Sequence, residues 1–219
     1  MTEDMRSEWR KRLGHMKWQG QLALDRARQL AKKLDEEPAA RIYYRNQLIR
    51  PWRVARFHHF GAHSVIDRPI AIYGAHHISV GDDVGIGPDC TIAAERASWS
   101  RPAPALKFGN RVIVRTACHF SATEYVEIED HVCFGSWCTV IDSNHVFNPG
   151  VGHIQEGMVT TSPVRIGAGT WIADRVAILP GANIGKGCFI GSNSVVNKPI
   201  PDYSIAVGFP ARVVGSTLG

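Results

Sequence analysis

From residue 60 onward the chain is written in sixes: an aliphatic or Phe residue leads, a small or polar one usually follows, and a small residue stands four places after the lead. The hexad Ile166-Gly167-Ala168-Gly169-Thr170-Trp171 is followed without a break by hexads led by Ile172, Ile178, Ile184 and Ile190. Hexapeptide periods of this kind predict a parallel β-helix. Carrying the register backward gives leaders at Phe60, Ile66, Ile72, then Val80, Ile86, Ile92, then Phe108, Val114, Phe120, then Ile128, Phe134, Val140, and after residue 165 the triplets Ile166, Ile172, Ile178 and Ile184, Ile190, Val196. Three hexads make one triangular coil in such a solenoid, so about six coils are expected.

The spacing departs from six only between triplets, at 72 to 80, 92 to 108, 120 to 128 and 140 to 166. Extra residues are tolerated at surface connections, so every insertion should project from the same edge of the prism. The loops 93–107 and 141–165 are then stacked neighbours, two coils apart at roughly 4.8 Å of rise each. Loops of that length are usually functional or disordered. The first of them carries Arg96, Trp99, Arg101 and Lys107, candidates to line a cleft between the two loops.

Residues 1–59 follow a different pattern. Met5, Trp9, Leu13 and Met16, then Leu22, Ala23, Ala27, Leu30 and Leu34, recur at the three- and four-residue steps of a helix. Pro38 ends or restarts that helix, and a second is predicted over 39–49, with Arg50-Pro51-Trp52 as its stop. The domain reading is a helical cap or arm over 1–59, a solenoid over 60–214 and a short tail over 215–219. A solenoid's terminal coil needs a cap, which these apolar stripes are able to provide.

Charge sharpens this division. Residues 1–59 hold 14 Lys and Arg against 7 Asp and Glu, leaving 11 against 13 for the rest of the chain's totals of 25 and 20. The basicity belongs to the arm, where capping, subunit contact and peripheral membrane contact are the readings, and nucleic acid is not an expected partner. Neither an apolar run long enough to span a membrane nor a signal-peptide core is visible, so a cytoplasmic location is expected. The five Cys are odd in number and lack a CxxC pair. Cys90, Cys118, Cys138 and Cys188 stand in the small fourth place of their hexads, which predicts buried packing rather than disulfides or metal binding.

Three segments carry a resemblance. Pro163 to Ile172 with Ile178-Leu179-Pro180-Gly181, then Ile190-Gly191-Ser192-Asn193-Ser194-Val195-Val196-Asn197-Lys198-Pro199-Ile200-Pro201, and Ala206-Val207-Gly208-Phe209-Pro210-Ala211-Arg212-Val213-Val214, resemble the closing signature of hexapeptide-repeat acyltransferases. The chain is most similar to the sugar and polysaccharide O-acetyltransferases related to maltose and galactoside acetyltransferases. That resemblance implies an all-β left-handed parallel β-helix, a homotrimer with active sites between neighbouring subunits, and acetyl-CoA as acyl donor with no metal required.

Transfer of an acetyl group from a thioester to an alcohol needs a base, donors for the oxyanion and a slot that aligns both substrates. A neutral His suits the first task. Of the ten His, His145 follows Val140-Ile141-Asp142-Ser143-Asn144 at the start of the largest loop, and it matches the family's catalytic His. Asp142 and Asn144 flank it as candidates for acceptor binding, with loop-start hydrogen bonding to backbone as the competing role. Arg115 replaces an Asn that binds acceptor in maltose- and galactoside-type relatives, and an Arg there would suit an acidic acceptor or brace the loop.

For the donor, the resemblance carries over onto Trp171 beside the pantetheine channel, Asp174 and Ser192 near the CoA arm, Asn197 beside it, and Lys198 and Arg212 toward the phosphates or adenosine. Asp174 is itself a departure, since Gly or Ser is usual there. The same fold supports zinc enzymes that use three converging imidazoles, but His119 has no His-x4-His partner in the middle coils. The leading expectation is O-acetylation of a saccharide hydroxyl. The alternatives are N-acylation of an amino sugar, O-acetylation of serine, and a non-catalytic scaffold.

Overall fold

The computed structural model describes residues 21–33, 36–95, 102–146 and 159–219. Met5 to Met16, Arg96, Trp99, Arg101 and residues 147–158 of the 141–165 loop lie outside the described residues. The chain divides into two compact units between Leu48 and Ile49. In the first, residues 21–33 are helical and a second helix begins at Pro38.

The second unit holds the end of that helix and the solenoid. Its backbone forms three sheets, and successive strands visit them in rotation: six strands lie in the first sheet, six in the third, and eight in the second, which includes a closing hairpin. All pairing within the coils is parallel. The register follows the hexad leaders. Phe60, Val80, Phe108, Ile128, Ile166 and Ile184 stack in the first sheet. Ile66, Ile86, Val114, Phe134, Ile172 and Ile190 stack in the second. Ile72, Ile92, Phe120, Val140, Ile178 and Val196 stack in the third. Every leader except the half-buried Ile72 is buried. At the waist, the Phe120 ring sits edge-on between Phe108 and Phe134, with both centroid separations 5.2 Å, an arrangement that adds to the area term of burial.

The long insertions leave the third sheet and return to the first, as the spacing requires. The thiols behave as packing atoms: Cys90, Cys118, Cys138 and Cys188 are buried. Cys118 lies against Cys138 and Cys90, and hydrogen bonding to them, then burial, holds its thiol well above the ordinary pKa.

The helix differs from the sequence expectation. It runs Pro38–Arg56, straight through Pro51. A proline forfeits one helical hydrogen bond, but tertiary contacts on both sides of it hold the last turn in place. Arg50 Nη1 donates to the Gly61 carbonyl at 2.9 Å, Arg53 Nη2 donates to the Ile66 carbonyl at 2.6 Å, and Phe57 packs edge-on against Phe60. Residues 50–57 therefore plug the open end of the first coil. At the other end, the strand Ser204–Gly208 pairs with Phe189-Ile190 and folds back on Ala211–Ser216. Thr217 adds hydrogen bonds to Tyr203 and Gly187, so the expected tail is tied into the closing hairpin.

His77, in the short turn Ala75–His77 beside that plug, is 7% exposed, and its Nδ1 has no partner among the described residues. Burial first, then His76 and His58, lower its pKa. The unfolded imidazole takes a proton near about 6.5, so this group's contribution is intact above that pH and is lost as pH falls below it. Tm measured from pH 7.5 down to 5.5 is expected to drop more steeply for the wild-type protein than for His77→Leu. Parallel curves would show that the imidazole titrates alike in the folded and unfolded states.

Candidate active site

His145 lies on a short antiparallel ribbon, Ser143–His145 paired with Val159–Thr161, that grows from the edge joining the third sheet to the first. Asn144 and His145 are exposed, and among the described residues the imidazole has no hydrogen-bond partner.

The root of the ribbon is tightly held. Asp142 is fully buried, and its carboxylate accepts from the backbone N–H groups of Thr123, Glu124 and Tyr125 at 2.8, 2.7 and 2.7 Å. Its carbonyl accepts from Ser162 N–H at 2.8 Å. The Thr123 hydroxyl donates to Ser143 Oγ at 3.1 Å, and the Thr161 hydroxyl donates to the Glu124 carboxylate. Asp142 therefore anchors the ribbon and does not face an acceptor, which corrects the sequence reading. A carboxylate surrounded by three N–H groups needs no further partner. The clamp residues Thr123, Glu124 and Thr161 were missed because they lie in the stretches 120 to 128 and 140 to 166, where the spacing departs from six.

A groove of about 800 Å³ runs along the outer face of the second sheet. Its floor is made of the residues that precede the leaders, Ile113, Cys133, Trp171 and Phe189, which pair in that order from coil to coil. Trp171 is 60% exposed and packs edge-on against Phe189 at 5.7 Å. Arg115, Ser136, Asp174 and Ser192 line the side toward the third sheet, and His131 lies on the opposite rim. Asp174 Oδ1 accepts from Ser136 N–H at 2.7 Å, which braces two coils while the carboxylate borders the groove. Cys133, Phe189 and His131 were not singled out from sequence, although the place before each leader was a readable signal for the outward face.

The structure thus gathers Arg115, Trp171, Asp174 and Ser192 into one groove. It does not bring the other donor candidates there. Asn197 and Lys198 are exposed on the connection leaving the third sheet after Val196, along the edge that bears the His145 ribbon. Arg212 is exposed on the closing hairpin, opposite Val207. Among the described residues no three His, Cys, Asp or Glu side chains group around a metal position, and no helix is long and apolar enough to cross a membrane.

Comparison with known proteins follows this geometry. Residues 163–198 match the bacterial transferase hexapeptide family of six repeats. A probable acetyltransferase of Mycobacterium tuberculosis is 36% identical over 186 residues, covering 80% of this chain and 59% of the relative. The chain therefore spans about three fifths of that protein's length. The solved maltose O-acetyltransferase of Clostridium difficile is 26% identical, with a TM-score of 0.52 over 76% of this chain and 73% of that one. A hexapeptide-repeat acetyltransferase of Vibrio cholerae, solved with acetyl coenzyme A, shares the fold at 19% identity, with a TM-score of 0.55 over 77% of this chain and 75% of that one. A ladder of leaders in six-residue register, a closing segment that matches the hexapeptide model and a fold shared with solved acetyltransferases make this chain similar to the bacterial hexapeptide-repeat transferases.

Proposed function

We propose that the protein is an acetyl-CoA-dependent O-acetyltransferase acting on a saccharide hydroxyl, built as a homotrimer of left-handed β-helices with His145 as general base. One observation carries this reading: the exposed imidazole and the apolar groove belong to opposite parts of one prism. The ribbon leaves the edge between the third and first sheets, and the groove lies on the second sheet, the face opposite that edge. A base from one copy reaches a donor in the groove only if a neighbouring copy presents its face, and threefold closure satisfies every copy at once.

In that arrangement an imidazole nitrogen of His145 takes the acceptor hydroxyl proton as the oxygen attacks the thioester carbonyl. The carbon–sulfur bond then breaks, and the same nitrogen returns the proton to the departing thiolate. Asn144, exposed beside His145, is placed to hold an acceptor hydroxyl. Trp171 and Phe189 offer an apolar wall for the pantetheine arm, with Ser192 and Asp174 at its polar border. Lys198, Asn197 and Arg212, outside the groove of one copy, are assigned to the donor's outer portion, where cations suit phosphates. The maltose O-acetyltransferase name of the Clostridium protein and the probable acetyltransferase name of the mycobacterial one support the choice of chemistry.

The direct test is thiol release from acetyl-CoA against sugars, nucleotide sugars, amino acids and amines. Release with a hydroxyl acceptor is expected, and release confined to amines would replace the reading with N-acylation. Trp171→Ala is expected to raise KM for acetyl-CoA about tenfold, from the loss of one aromatic wall, with kcat little changed. An unaltered KM would remove Trp171 from the donor site.

A further inference from the structure

At the corner after the second sheet, the residue following each leader is small in most coils: Gly87, Gly135, Ala173 and Gly191. The reason is steric. A Cβ built on Gly87 would lie 2.5 Å from the Arg115 carbonyl oxygen, and one on Gly135 would lie 2.7 Å from the Asp174 nitrogen. Two charged residues interrupt the column, Asp67 in the first coil and Arg115 in the third. The matching column after the first sheet is Gly61, Gly81, Gly109, Glu129, Gly167 and Gly185, with one charged member.

Two of these three intruders are engaged within the protein. Asp67 is buried, with Arg68 Nε at 3.6 Å. Glu129 takes the Arg165 guanidinium on one oxygen and the Ala168 N–H, at 2.9 Å, on the other. Arg115 is exposed at the groove, and among the described residues no acceptor meets its guanidinium. Its rung is also the loosest of its column. Arg115 N–H reaches the Phe134 carbonyl at 3.2 Å, whereas Asp67, Gly87, Gly135, Ala173 and Gly191 make the equivalent bond at 2.8, 2.9, 2.7, 2.9 and 2.9 Å. A charged residue at a corner that mostly takes small ones, with no internal partner among the described residues, fits a functional position better than a structural one.

We propose that Arg115 binds a carboxylate or phosphate carried by the acceptor, so that the preferred substrates are acidic. This rests on the transfer reading above, because it takes the donor to lie along Trp171, Asp174 and Ser192. Arg115 stands two rungs before Trp171 and three before Ser192, about 10 to 14 Å along the groove. The thioester carbon then falls between the donor's end of the groove and the guanidinium, where an acceptor anchored by its charge presents a hydroxyl. The apolar floor of Ile113, Cys133 and Trp171 strengthens an ion pair by limiting its hydration, and the guanidinium's planar fork suits two-point recognition of either anion.

The test measures thiol release over matched acceptor pairs, each a neutral sugar and its carboxylate or phosphate counterpart, with wild-type protein, Arg115→Ala and Arg115→Lys. The wild-type protein is expected to favour the acidic members. Arg115→Ala should lose about ten- to a hundredfold in kcat/KM on those members alone, through acceptor KM, as expected for removal of a charge-assisted pair. KM for acetyl-CoA should stay within about twofold, and Arg115→Lys should fall between. Equal turnover of both members of each pair overturns this inference and leaves the transfer reading standing. So does an Arg115→Ala defect confined to KM for acetyl-CoA, which would make the guanidinium a donor-phosphate contact. No release with any acceptor would overturn both.

Discussion

Replacing His145 with alanine is expected to lower kcat for acetyl transfer by about 10²- to 10⁴-fold, the range that a positioned acid–base group contributes. The side chain is exposed and has no hydrogen-bond partner among the described residues, so its removal leaves the core ladder untouched. Tm should stay within about 1 °C, since surface substitutions away from special features cost little. The expected loss is in turnover, with KM for acetyl-CoA nearly constant, because a base acts as the hydroxyl proton is transferred and not in holding the donor. Thiol-release kinetics beside a thermal melt decide the matter. A variant that keeps near-wild-type turnover would take His145 out of the chemistry and leave the groove without its base.

The second large effect concerns stability. Asp142→Ala strips the acceptor from three N–H groups of residues 123–125, that of Thr123 buried and those of Glu124 and Tyr125 partly so. Each orphaned donor costs about 1–3 kcal/mol, and with partial relaxation the sum should be about 3–5 kcal/mol. For a chain of this size that lowers Tm by about 10 °C. Because the same carboxylate fixes the root of the His145 ribbon, kcat should fall as well. Asp142→Asn, which keeps one acceptor oxygen, should lie between. A different pattern, with acceptor KM raised and Tm unchanged, would return Asp142 to the acceptor-binding role suggested by its place in Ile141-Asp142-Ser143-Asn144-His145.

That contrast marks the boundary of what a one-dimensional pattern conveys. Asp142 and Asn144 look equivalent beside His145 in sequence, and both were candidates to meet an acceptor. In space one is fully buried beneath the next connection and the other is exposed. The difference arises because residues 123–125 arrive from the coil before, about 20 positions earlier, with three N–H groups lacking sheet partners. Pro51 shows the same limit. A proline reads as a helix stop, yet Arg50 and Arg53 reach the carbonyls of Gly61 and Ile66 and hold the helix beyond it. Arg115 was noticed as a departure from related sequences, but only the column of small residues at its corner shows how far it breaks the local rule.

The repeat itself was legible because it is a local constraint applied many times. One side chain in six must enter a dry interior while its neighbours turn a corner, so leaders, small fourth positions and sites of insertion are all imposed within a few residues. The sequence alone therefore determined the coil, the register and the edge from which the loops leave. Which groups meet across coils was decided only by tertiary structure: the clamp under His145, the groove of Ile113, Cys133, Trp171 and Phe189, and the exposed guanidinium beside it. Those meetings depend on stacking between segments 20 to 40 positions apart, and no local preference of the chain encodes them.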